Sequence, residues 1–142
     1  MSKKFIVEAK VYEAMGALES YLENSGIDKL HSELIKIRAS QINGCAYCIN
    51  MHTKDARKAG ETEQRIYALN AWRETPFFTP EERAILALTE EVTNIKHGIS
   101  EKTIEEATKV LERPYISKVI MAAVTINAWN RIGIATGLQP SL

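Results

Sequence analysis

Apolar residues recur along this chain at the three- and four-residue steps of helices, and strand-like alternation is nearly absent. Val11, Met15, Leu18 and Leu22 step by four, three and four residues, which predicts an amphipathic helix ending near Ser25-Gly26. Asp28 is placed as the N-cap of a second helix through about Gln41, with Leu30, Leu34, Ile37 and Ile42 spaced to face a core. Asn43-Gly44 is a turn signal, and the next sixteen residues, Cys45 to Gly60, hold no internal glycine or proline and end in a glycine at the C′ position. A third helix therefore begins at the cysteines. Thr62 opens a fourth, from Gln64 to Trp72, carrying Ile66, Leu69 and Trp72 at three-residue steps and closed by Pro76. Thr79-Pro80-Glu81-Glu82 sets a cap, a first-turn proline and two acids at the positive end of the dipole, starting a fifth helix that should reach about Lys96. Ser100 to Leu111 reads as a sixth, and Pro114 fits the first turn of a seventh running towards Gly133. With no internal repeat or linker, the expectation is all-α: one domain over residues 1–142, a bundle of about seven helices.

Composition narrows the function classes. A chain of 142 residues buries about two-thirds of its unfolded surface, so neither a metal nor a disulfide is needed to explain folding. Eighteen basic and eighteen acidic residues leave no positive field for a phosphate backbone, which argues against nucleic acid as a partner. In the N-terminal Met1-Ser2-Lys3-Lys4-Phe5-Ile6-Val7-Glu8, the acid interrupts the apolar run after three residues, unlike a signal peptide. The longest apolar region, Ile116 to Ile134, is broken by Lys118, Asn127, Asn130 and Arg131, so no membrane span is expected. The reading is a cytoplasmic protein, where a cysteine pair is more often redox-active or metal-binding than structural.

Both cysteines lie in Cys45-Ala46-Tyr47-Cys48, with His52 one turn further on. Heme attachment wants histidine directly after the second cysteine, where Ile49 stands. Structural zinc would need Glu33, His31 or His97 to complete a set with Cys45, Cys48 and His52. A thioredoxin-type domain needs a β/α pattern that this chain lacks. The remaining reading is a dithiol centre on a helical scaffold. Residues three and four apart on a helix are neighbours, so Cys48 faces both Cys45 and His52, whereas Cys45 and His52 are roughly 10 Å apart along the axis. A general base removes a proton outright, while the helix dipole contributes about 0.3–1 kcal/mol. Cys48 is therefore assigned as nucleophile, assisted by His52, and Cys45 as the resolving thiol. Met51, Met121 and the two tryptophans read as packing residues, and Glu33 taken alone reads as a solvated helix carboxylate.

Glu33, eleven residues, Cys45, two residues, Cys48, three residues and His52 together resemble the alkylhydroperoxidase D-like (AhpD-like) core of the carboxymuconolactone decarboxylase-like superfamily. The block from Glu33 to Cys45 is similar to that core, and Ile126-Asn127-Ala128-Trp129-Asn130-Arg131 to the closing helix of one branch. The resemblance implies an all-helical homo-oligomer, a trimer or a hexamer built from trimers. It also implies peroxide reduction by the cysteine pair, with the second cysteine attacking and with Glu33 and His52 as a proton relay around the thiol. Placed beside a buried thiol, a carboxylate is expected to have a raised pKa and to pass a proton between sulfur and water. One departure is Tyr47, where family peroxidases often carry histidine; tyrosine donates a hydrogen bond but is a poor base. Decarboxylase members lack the cysteine pair, so its presence argues against lactone decarboxylation.

The expected function is thus a thiol-dependent peroxidase acting on a small hydroperoxide through Cys48, Cys45, His52 and Glu33. It would be regenerated by an external dithiol reductant, with no metal or other cofactor. Two other readings stay open: a general disulfide reductase or redox relay to a partner protein, and a non-enzymatic oligomer that binds zinc or a small apolar ligand.

Overall fold

The computed structural model describes residues 7–142; the stretch read above for a leader lies, in residues 1–6, outside the described residues. Seven α-helices and one 3₁₀ helix follow in order, with no strand among the described residues: α1 Ala9–Asn24, α2 Lys29–Asn43, α3 Ala46–Lys58, α4 Glu63–Tyr67, a 3₁₀ helix Leu69–Glu74, α5 Pro80–Thr93, α6 Glu101–Val110 and α7 Arg113–Thr136. Local sequence sets most of these starts. Asp28, Thr62, Thr79 and Ser100 each accept a backbone N–H of their helix's first turn, and Glu82 reaches back to the amide of Thr79 to complete a capping box.

Three boundaries differ from expectation. The fourth helix breaks after Tyr67, and its continuation is 3₁₀ with Ala71 outside helical angles. Three-residue spacing suits a 3₁₀ turn as well as an α-helix, and Leu69 and Trp72 are its buried residues. Helix α5 stops at Thr93, where Asn94 leaves helical geometry. Helix α7 runs past Gly133 to end at Gly137, whose φ of 72° is the left-handed C-terminal turn.

Helix α2 is the centre of the molecule, packed against α3, α5 and α7. Every residue from Ser32 to Ile37 is buried, so no side of this stretch faces water and the one-sided pattern expected of it was too narrow. Leu34 and Ile37 enter a cluster with Ala56, Leu69, Trp72, Phe78 and Leu86. Ile35 and Ala39 enter a larger one that includes Ile85, Val119, Ile126 and both cysteines. Each fully buried Leu or Ile contributes about 1.5–3 kcal/mol. Enclosure of α2 also forces Glu33 and Lys36 inside, where each must find a partner. Among the described residues no helix is long and apolar enough to cross a membrane.

Candidate functional site

The turn between α2 and α3 delivers the cysteines. Gly44, at φ 73°, ends α2 in the left-handed conformation, and the amide of Cys45 then bonds to the carbonyl of Ser40. Behind it, fully buried Asn130 of α7 donates to the Ser40 hydroxyl and accepts from Asn43, which ties the turn to α7. Cys45 is the N-cap of α3, and its sulfur accepts the Cys48 amide at 3.3 Å. Cys48 stands three residues on, and the two sulfurs are joined in a disulfide.

Both cysteines are buried, yet only Cys48 lines the cavity beside them, a space of about 510 Å³ between α1, α2, α3 and α7. His52, one turn along α3, lines the same cavity at 7 % exposure. Its Nδ1 lies 3.0 Å from Oε2 of Glu33. An ionised carboxylate only accepts, so Nδ1 carries the proton and Nε2 is left as the basic nitrogen.

Glu33 departs from the sequence reading in two ways. It is 1 % exposed rather than solvated, because α2 is enclosed. Burial pushes its carboxyl up, but the hydrogen bonds from His52 and from Lys29 outweigh that and hold it below the ordinary glutamate range, not above it. The Lys29 ammonium reaches Oε1 at 2.9 Å from the surface, one turn back along α2. Glu33 is thus a carboxylate held on one oxygen by the imidazole and on the other by an ammonium, and the raised carboxyl pKa expected above is not found.

The other histidines considered as ligands stand elsewhere. His31 bonds through Nδ1 to the hydroxyl of Tyr115 at 2.7 Å, and His97 is exposed on the loop after α5; neither lines the cavity. Among the described residues, the side chains placed to share a metal ion are Glu33, His52 and Asp55. Of the residues weighed above for completing a metal set, Glu33 is the one that stands beside His52, and it also holds Lys29.

Sequence reasoning missed several residues here. Lys29 was legible as the i,i+4 partner of Glu33. Gly133 was taken for the end of the last helix, yet it lies inside α7: a Cβ there would stand 3.3 Å from the Cys45 sulfur and 3.8 Å from that of Cys48. An isolated glycine in a helical pattern is a sign of such close packing. Met51 and Trp129, read as packing residues, both line the cavity; Trp72 is core.

Residues 9–91 match the family described as carboxymuconolactone decarboxylase family. The chain is 46 % identical over 121 residues to the uncharacterized protein YdfG of Bacillus subtilis, covering 84 % of this chain and 82 % of that one. It is 39 % identical over 51 residues to the alkyl hydroperoxide reductase AhpD of Mycobacteroides abscessus, a local match covering 36 % of this chain and 29 % of that protein. A crystal structure from Agrobacterium tumefaciens, of a protein of unknown function named as a putative antioxidant defence protein AhpD, superposes with a TM-score of 0.91 at 38 % identity, over 95 % of this chain and 93 % of that one.

Proposed function

Because the chain belongs to the carboxymuconolactone decarboxylase family and has the AhpD-like fold, we propose that it is a thiol-dependent peroxidase that reduces hydroperoxides through Cys48 and Cys45. The observation that carries this reading is a cysteine pair, joined as a disulfide, whose second sulfur opens onto a cavity shared with a buried, carboxylate-bound imidazole.

The cycle starts from the dithiol. Nε2 of His52 takes the Cys48 proton, and the resulting thiolate attacks the terminal oxygen of the hydroperoxide. The O–O bond breaks, the alkoxide takes a proton from the imidazolium and leaves as an alcohol, and Cys48 becomes a sulfenic acid. Cys45 attacks that sulfur, water departs, and the disulfide forms. An external dithiol then reduces the pair, so one hydroperoxide and one dithiol yield one alcohol, one water and one disulfide. In that last step the donor thiolate meets Cys48, the sulfur on the cavity, and Cys45 leaves. The Cys48 amide and the helix N-terminus stabilise the departing Cys45 thiolate, and a stabilised leaving thiolate departs faster.

Glu33 fixes the ring and stabilises the imidazolium. The same reading carries a homo-oligomer, trimer or hexamer, in the cytoplasm. The test is peroxide consumption with several dithiol donors. Cys48→Ser ends turnover, and Cys45→Ser accumulates sulfenic acid or a mixed disulfide on Cys48, seen by mass spectrometry. Full turnover by Cys48→Ser would remove the proposal; a trapped mixed disulfide with no peroxide consumption would favour a disulfide relay instead.

A further inference from the structure

Part of the cavity wall is built from rings. Trp129 of α7 and Tyr12 of α1 stack with centroids 6.1 Å apart and planes 29° from parallel, and both line the space onto which Cys48 opens. The indole is not free to turn. Its Nε1 donates to Oε1 of Glu19 at 3.0 Å, and the other oxygen of Glu19 accepts from Nζ of Lys36 at 3.3 Å. Lys36 is only 8 % exposed. Glu19, its partner, is half-buried, so the ammonium leaves water for a carboxylate that stays partly in it, and core packing alone does not call for a lysine there. What the pair accomplishes is a bridge across three helices that holds one orientation of one indole.

The same pairing decides the charge of what binds. Both lysines lining the cavity are already matched, Lys36 by Glu19 and Lys29 by Glu33, so neither is left to draw an anion. The volume, about 510 Å³, lies within the range of small-molecule sites and far exceeds what hydrogen peroxide fills. From these observations we propose that the cavity selects uncharged hydroperoxides bearing an aromatic ring, with Trp129 and Tyr12 as the selecting residues and Glu19 and Lys36 as positioning residues behind them. The reacting group rests on the peroxidase reading; the ring preference does not.

Binding without chemistry separates the two. The oxidised protein is titrated with 2-phenyl-2-propanol, the alcohol left by cumene hydroperoxide, and with its ring-saturated counterpart 2-cyclohexyl-2-propanol, affinities being read by NMR. The saturated ring is the more apolar of the two, so simple hydrophobicity favours it. The expected result is the reverse, with the phenyl compound preferred roughly three- to tenfold, the increment of an aromatic contact. Trp129→Leu and Tyr12→Leu each bring the ratio towards one. Glu19→Leu does the same, whereas Glu19→Gln, whose one amide oxygen still accepts from the indole although the acceptor for Lys36 is lost, retains it. Equal affinities in the wild type, or a ratio unchanged in Trp129→Leu, overturn the inference. A phenyl preference in a protein that consumes no peroxide supports the wall and discards the peroxidase; brisk peroxide turnover without the preference does the opposite.

Discussion

His52 Nδ1 and Glu33 Oε2 stand 3.0 Å apart, each on a buried side chain and each carried by a different helix. This bond gives the imidazole its tautomer and gives the carboxylate a reason to stay ionised out of water, so site geometry and fold stability share one contact.

Stability should therefore depend on pH through Glu33. Its folded-state pKa is depressed below the reference 4.5, so its contribution is fully present above that value and is lost as pH falls through the lower folded-state value. Melting temperatures of wild type and Glu33→Gln, compared from about pH 7 to about pH 3, are expected to differ most at the upper end and to converge at the lower. A gap that widens on acidification would contradict the assignment.

Lys29 is the other half of that arrangement. Lys29→Met removes a hydrogen bond and a positive charge from Glu33 and leaves the upward push of burial less opposed. The acidic limb of the kcat/KM profile should move to higher pH. Because the lysine side chain is 65 % exposed, the shift should shrink with added salt. An acidic limb that stays put at low salt would show that Lys29 has no hold on the carboxylate.

Gly133→Ala pits two effects against each other. Alanine favours the helix by about 0.5–1 kcal/mol, while overpacking a tight core costs about 1–3 kcal/mol. The new Cβ would stand 3.3 Å from a sulfur that its covalent partner prevents from turning aside. Overpacking is expected to win, with a net loss of about 1–2 kcal/mol for the oxidised protein in denaturant unfolding. With the pair reduced, a freed thiol can rotate, and the loss should be smaller; equal losses in both states would mean that the sulfur is not what the methyl meets.

The parts of this fold governed by neighbours in sequence were readable from it. Capping by Asp28, Thr62, Thr79 and Ser100 is a contact over three residues, and four of the seven α-helices start where those side chains say. The Cys45, Cys48, His52 spacing likewise lies within one helix and its cap. What escaped depends on partners far along the chain. Nothing near Lys36 or Glu33 indicates that α2 is enclosed, because two of the three helices packed against it, α5 and α7, lie far along the chain. Trp129 meets Glu19 across 110 residues, a distance over which periodicity carries no information. The fourth helix failed for a different reason: a three-residue step is common to two kinds of helix, and the pattern cannot separate them.

Position 45 holds an atom with two employments, one architectural and one electronic, since the sulfur that begins α3 also closes the disulfide. Serine, a favoured N-cap, offers an oxygen to the same amide and nothing to the sulfur of Cys48. Exchanging a single atom thus divides scaffold from chemistry at the centre of the molecule.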